Sequence, residues 1–201
     1  MMKLSQTNFF KTQSIELYDS KIHIKTKYLG NKNEFDISYE NILSGTYDEK
    51  KSNIVLFIFS VFFYLLSAAT YYWRFIEGDK TVEGEASIIW LIIGTLLLIV
   101  ALKSIENIWR VNITNNQFIK IYKKKPNEKE VNDFITEMFK KRNKYLNEMY
   151  GKINGNLNYD KQYNNYLWLK NMEVIDEIEF ESKIRKLEIE LGKQSNKISL
   201  N

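Results

Sequence analysis

Cysteine is absent from this sequence, so no disulfide framework and no thiolate metal site can form. Proline and histidine each occur once. A single imidazole excludes paired-histidine metal sites, and His23 falls on the polar side of an alternating stretch, where a solvated side chain is expected. There is no Gly-rich phosphate loop, no His-Glu-x-x-His and no nucleophile elbow. The acidic residues sit mainly where they cap helices or pair with Lys at i, i+4 spacing, and nothing selects a catalytic pair. The expectation is a non-enzyme, with no catalytic residue, no cofactor and no metal.

What the chain does have is unevenly distributed. A mean hydropathy of -0.37 averages two apolar blocks into a very polar remainder. Residues 54–73 and 86–102 contain no Asp, Glu, Lys, Arg or His. As helices they would reach about 30 Å and about 25 Å, close to the hydrocarbon thickness of a bilayer. No other segment is apolar enough to enclose both as buried core helices, and the first begins too far from the N-terminus for a signal peptide. The expectation is a transmembrane hairpin over residues 54–102.

The link between the spans carries Glu77, Asp79, Glu83 and Glu85 against Arg74 and Lys80, whereas Lys50, Lys51, Lys103 and Arg110 flank the other ends. The positive-inside rule then puts the link outside and both termini in the cytoplasm, a multi-pass protein of a bacterial inner membrane. Tyr71, Tyr72 and Trp73 are placed to anchor the outer interface. Ser67, Ala68 and Gly94 would let the helices approach closely. With no charge inside either span, a proton relay or ion pathway lacks a candidate residue.

On both sides of the hairpin the pattern has a period of two. Ile15 and Leu17, then Ile22 to Tyr28, then Phe35, Ile37 and Tyr39 read as strands, and Ile42 to Tyr47 as a fourth. Ile108–Ile113 and Gln117–Tyr122 flank Thr114-Asn115-Asn116, a second hairpin signal. This predicts six short strands split by a membrane insertion, with Tyr47 and Ile108 on neighbouring strands. Asn127 and Glu130 form a capping box ahead of a helix ending near Gly151. Its stripe (Val131, Phe134, Ile135, Met138, Phe139, Tyr145, Leu146, Met149) should pack on the sheet, the alternative being an interfacial membrane helix.

The segment FDISYENI, and NITNNQFIKIYKK running into NEKEVNDFITEMFKK, resemble the bacterial pleckstrin-homology-like (PH-like) membrane proteins. That resemblance implies an α+β fold: a small antiparallel PH-like sheet closed by a C-terminal helix, here split into residues 14–48 and 105–150 by the hairpin. Residues 151–162 read as a linker. Residues 163–192 resemble the SHOCT module, a short C-terminal helical hairpin, through Leu167, Leu169, Lys170, Val174, Ile175, Glu177, Glu179, Phe180, Lys183 and Leu187. The match departs at Glu173, usually Gly, and at Asp176, usually Thr or Ser.

Basic groups are the better functional lead. Residues 103–201 carry 19 Lys and Arg against 14 Asp and Glu, a net of +5. Lys50, Lys51, Lys103, Lys123, Lys124 and Lys125 are the expected contacts to anionic lipid headgroups, each worth about 1 kcal/mol near the surface. Lys140, Lys141, Arg142 and Lys144 add to the basic character of the helix. The tail stripe, Leu167, Leu169, Phe180, Ile184, Leu187 and Leu191, is the expected site for a protein partner or a second copy. Nucleic acid is not expected, because the charge is diluted by acids. The function these features point to is a membrane-anchored scaffold or regulator. The alternative is an immunity or exclusion protein that guards the membrane against a toxin or phage component.

Overall fold

The computed structural model describes residues 2–198, and the side chains up to residue 190. It is an α+β arrangement of two antiparallel sheets, five α-helices and an apolar helical hairpin formed by two of those helices. The first sheet has the order β1-β2-β3-β4: β1 (Met2–Asn8), β2 (Lys11–Leu17), β3 (Lys21–Tyr28) and β4 (Asn31–Ser38). The second has the order β5-β6-β7: β5 (Tyr47–Lys51), β6 (Glu106–Ile113) and β7 (Gln117–Tyr122). The helices are α1 (Ile54–Tyr71), α2 (Ala86–Lys103), α3 (Glu128–Tyr150), α4 (Tyr159–Asn171) and α5 (Glu177–Ile198).

The chain divides into two compact units, one holding everything up to Tyr47 and from Trp109 onward, the other Asp48–Ile108. Strands from both sides of the hairpin therefore fall in one unit. Tyr47 and Ile108 do lie on hydrogen-bonded neighbours, β5 and β6, although α1 and α2 separate them in sequence.

In the first unit alternation decides which side chains are buried. Leu4, Ile15, Leu17, Ile22, Ile24 and Ile37 point inward from the first sheet, and Val111, Ile119 and Ile121 from the second. Val131, Phe134, Met138 and Leu146 complete the same core from α3, whose stripe recurs at helical spacing. Asn127 caps α3 by accepting from the Glu130 N–H at 2.9 Å, as the capping box requires. Met149, the last residue of the expected stripe, is exposed.

Three expectations about the elements are corrected. A strand, Met2–Asn8, precedes the first one expected, and its register pairs Leu4 with Ile15 and Gln6 with Gln13. Polar Gln6 and Asn8 hide its period-two signal, yet both are buried. Gln6 donates to the Tyr122 carbonyl at 2.8 Å and accepts from the Tyr122 N–H at 3.0 Å, so its side-chain amide stands in for a missing ladder pair between the sheets. The strand expected over residues 42–47 is not formed: after a 3-10 turn, Tyr39–Asn41, Ile42 makes a single bridge to Ile113, and β5 begins only at Tyr47. Residues 151–162 are only partly a linker, since α4 starts at Tyr159 and Gln162 is buried.

In the second unit α1 and α2 pack side by side. The helical segments Ile54–Ile76 and Ala86–Lys103 are long and apolar enough to cross a membrane, and only 6% and 17% of their most apolar windows are buried. Core helices of a soluble protein would be mostly covered. At its C-terminal end α1 continues into a π-helical turn, Tyr72–Ile76, beyond the expected limit at Trp73. Small and hydroxylated residues line the seam. Ser60 donates to the Gly94 carbonyl at 2.9 Å, and Ser67 to the Ser87 carbonyl at 2.7 Å.

Candidate functional site

The expected headgroup lysines divide into two sets. Lys50, Lys51 and Lys103 are exposed at the ends of β5 and α2, in the second unit. In the first unit Lys124 is exposed, but its neighbours are engaged. The Lys123 ammonium sits 3.8 Å above the Trp109 ring, and Lys125 donates to the Asn8 side chain at 2.5 Å. Tyr71, at the C-terminus of α1, and Tyr72 and Trp73, in the π-helical turn after it, are all exposed.

The tail is bound to its own unit. Leu169, Phe180 and Leu187 belong to the same buried cluster as the sheets and α3, and Leu167 and Ile184 pack against it. The Leu191 side chain lies outside the described residues. The stripe expected to receive a partner therefore packs against its own unit. The two tail helices complete the core of the first unit, and their stripe is covered there.

The residue that fastens the tail is Arg142. Its place in the basic run 140–144 makes it look solvated, but it is 1% exposed, and its guanidinium donates to three acceptors. Nε reaches the Ile42 carbonyl at 2.7 Å, one terminal nitrogen the Asn143 side chain at 2.7 Å, and the other the Met172 carbonyl at 3.0 Å. Met172 caps the C-terminus of α4, where free carbonyls and the helix dipole favour a cation. Burial pulls the Arg142 guanidinium down to about 10, and nearby Glu173 opposes that shift. The available signal was spacing: Arg142 stands four residues after Met138 and four before Leu146, on the apolar stripe itself.

The loop after α4 adopts the backbone a glycine would take. Glu173 has φ +54, in the left-handed region, so this turn keeps its geometry without Gly. Asp176 keeps the capping chemistry, accepting from the Glu179 N–H at 2.7 Å.

His23 is half-buried on β3, its Nδ1 2.6 Å from Asp36, which also holds Lys21 at 2.6 Å. The bond from Lys21, then that from His23, keeps the Asp36 carboxyl below its usual range. This is an exposed cross-strand charge ladder. Among the described residues no group of three or more His, Asp and Glu could hold a metal ion. A cleft of about 440 Å³ opens between the sheets, walled by Ile24, Phe35, Ile37, Phe118 and Ile119. Phe35 stands at this opening and is exposed.

The fold therefore defines a class only broadly, an α+β chain with two antiparallel sheets and an apolar helical hairpin. Comparison with protein-family models, with curated proteins and with solved structures gives no match.

Proposed function

We propose that this chain is a non-enzymatic, membrane-anchored scaffold or regulatory protein with a PH-like cytoplasmic unit. The hairpin crosses a bacterial inner membrane with both termini inside, and the unit bearing β1–β4 and α3–α5 is held at the inner leaflet. The observation that carries this reading is the pair of long apolar helices with few buried residues, for which lipid is the natural solvent. The acidic link and the basic flanks support the orientation. A four-stranded sheet, a three-stranded sheet and a helix that follows them support the PH-like reading.

A protein partner remains part of the proposal, with its site moved. Since the tail stripe is covered, recruitment falls to the outward side of α5, where Ile178 and Ile189 are exposed by 78% and 57%. The test combines alkaline carbonate extraction, labelling and affinity purification. The full chain should stay in the membrane pellet. A cysteine at Glu83 should react with an impermeant maleimide in intact cells, and one at Asn156 only after permeabilisation. Release by carbonate, or labelling of position 156 from outside, would overturn the anchor or its orientation. Purification from native membranes should yield a partner that Ile178→Ser/Ile189→Ser loses. An unchanged yield would remove the tail's role.

A further inference from the structure

The first sheet ends in two adjacent hairpin tips whose chemistry the folding of the unit does not require. Asn8 pairs with Lys11, leaving Phe9-Phe10 as a two-residue turn, and Tyr28 pairs with Asn31, leaving Leu29-Gly30 as another. Such turns call for glycine, asparagine or aspartate where φ is positive. Here Phe9 has φ +55 and Leu29 φ +46, a conformation that bulky side chains rarely adopt. The same residues are left uncovered. Exposure reaches 49% at Phe9, 67% at Phe10, 48% at Tyr28 and 64% at Leu29. Strained backbone at an exposed apolar tip is costly to folding twice over, and retained strain of this kind points toward function.

The surroundings of the tips are basic. Lys11 lies 5.3 Å over the Tyr28 ring and is its cross-strand partner. Lys27 faces Lys32 directly across β3 and β4, a like-charge pair that destabilises an isolated sheet. Among the described residues no carboxylate pairs with Lys11, Lys27 or Lys32. The same edge of the unit continues through the Asn8–Lys125 bond to the end of β7, and through Lys123 to Trp109. Trp109 follows closely on Lys103, the last residue of an apolar segment long enough to span a bilayer.

We infer that the Phe9-Phe10 and Tyr28-Leu29 tips form an interfacial docking surface that dips into an anionic phospholipid bilayer, with Lys11, Lys27 and Lys32 on the headgroups. Aromatic and aliphatic side chains ringed by lysine match the layered polarity of a membrane interface, apolar below and anionic above. The inference rests on the anchored reading above and adds a contact outside the hairpin.

The absence of native cysteine makes the test direct. Phe10→Cys, Leu29→Cys and, as an aqueous control, Asn156→Cys are labelled in the full chain with a polarity-sensitive fluorophore. The protein is reconstituted in vesicles of phosphatidylcholine with or without phosphatidylglycerol. In anionic vesicles, labels at 10 and 29 should emit to the blue of the label at 156. They should also be quenched several-fold more by lipid-borne nitroxide than by aqueous iodide present on both faces. Lys11→Glu/Lys27→Glu/Lys32→Glu should reverse both effects while the chain stays resistant to carbonate. Iodide quenching at 10 and 29 equal to that at 156, in carbonate-resistant protein, overturns this inference alone. Shielding from both quenchers, with self-quenching that grows with protein density, would assign the tips to a second copy and also overturn it. Release by carbonate would instead sink the anchored reading.

Discussion

Arg142 shows how much one side chain can hold together here. Moving a guanidinium out of water is expensive, and this one is offset by carbonyl and amide acceptors, with no ion-paired carboxylate among the described residues. Its planar fork joins three pieces of chain: the turn after β4 at Ile42, α3 itself, and the end of α4 at Met172. Arg142→Met keeps much of the volume but leaves the Ile42 and Met172 carbonyls without their donor. The expected cost is about 3 kcal/mol. Arg142→Lys should recover little, because one ammonium on a flexible stem cannot reach the same acceptors together. Denaturant unfolding in detergent measures the loss, and faster proteolysis across residues 151–158 would show that the tail has loosened. Equal stability of Arg142→Met and the native chain would remove Arg142 from this role. In sequence the residue reads as one more surface cation, since charge type is visible there and burial is not.

At the scale of elements, the hairpin depends on close approach of α1 and α2. A Cβ on Gly94 would meet the Ser60 carbonyl at 3.3 Å and the Phe63 Cβ at 3.4 Å, tighter than ordinary contact on a rigid seam. Gly94→Leu should therefore push the helices apart and break the Ser60–Gly94 hydrogen bond. The check uses Ser67→Cys with Ser87→Cys, positions already joined by a hydrogen bond, and a short thiol cross-linker. Cross-linking should be efficient while Gly94 is kept and fall sharply once Gly94→Leu is added. Unchanged cross-linking would place the close packing elsewhere. The N-caps of α3 and α5 formed, Asn127 and Asp176 each accepting from the backbone N–H three residues on, because a cap is settled within four residues. β1 was missed because its inward positions include Gln6 and Asn8, whose burial depends on partners more than a hundred residues away.

For the whole molecule, the first unit carries a set of tyrosines that links its stability to pH. Burial, with Asp19 and Glu137 nearby, pushes the Tyr39 phenol up to about 12. Tyr145, Tyr150 and Tyr166 are also raised, burial being the leading cause in each. Tyr145 and Tyr150 share the Glu40 carboxylate at 3.0 Å and 3.3 Å. A raised folded-state value means that the unfolded chain loses its proton first. The stability these groups contribute is complete below their ordinary value of 10.0 and is lost as pH rises above it, through about 12 for Tyr39. Arg142, lowered to about 10, works in the opposite sense, while Tyr145, Tyr150 and Tyr166 act in the same sense as Tyr39. Alkaline unfolding should therefore set in above pH 10, with tyrosinate absorbance and circular dichroism changing together. Tyr39→Phe should shift that onset upward. Tyrosinate that forms well before the secondary structure is lost would contradict the linkage.

The sequence by itself determined whatever depends on local pattern. Uninterrupted apolar runs mark the two long helices, period two marks most of the strands, and an i, i+3, i+4 stripe with its cap marks α3. It also placed Tyr47 and Ile108 on neighbouring strands, because strands on both sides of an insertion need each other's edges. Only the tertiary structure decided which surfaces remain free. It turned the tail stripe inward and made Arg142 a clamp, and it left Phe9, Phe10 and Leu29 uncovered on strained turns. The physical reason is that hydrophobicity states a preference for burial, whereas the partner that satisfies it comes from elsewhere in the chain.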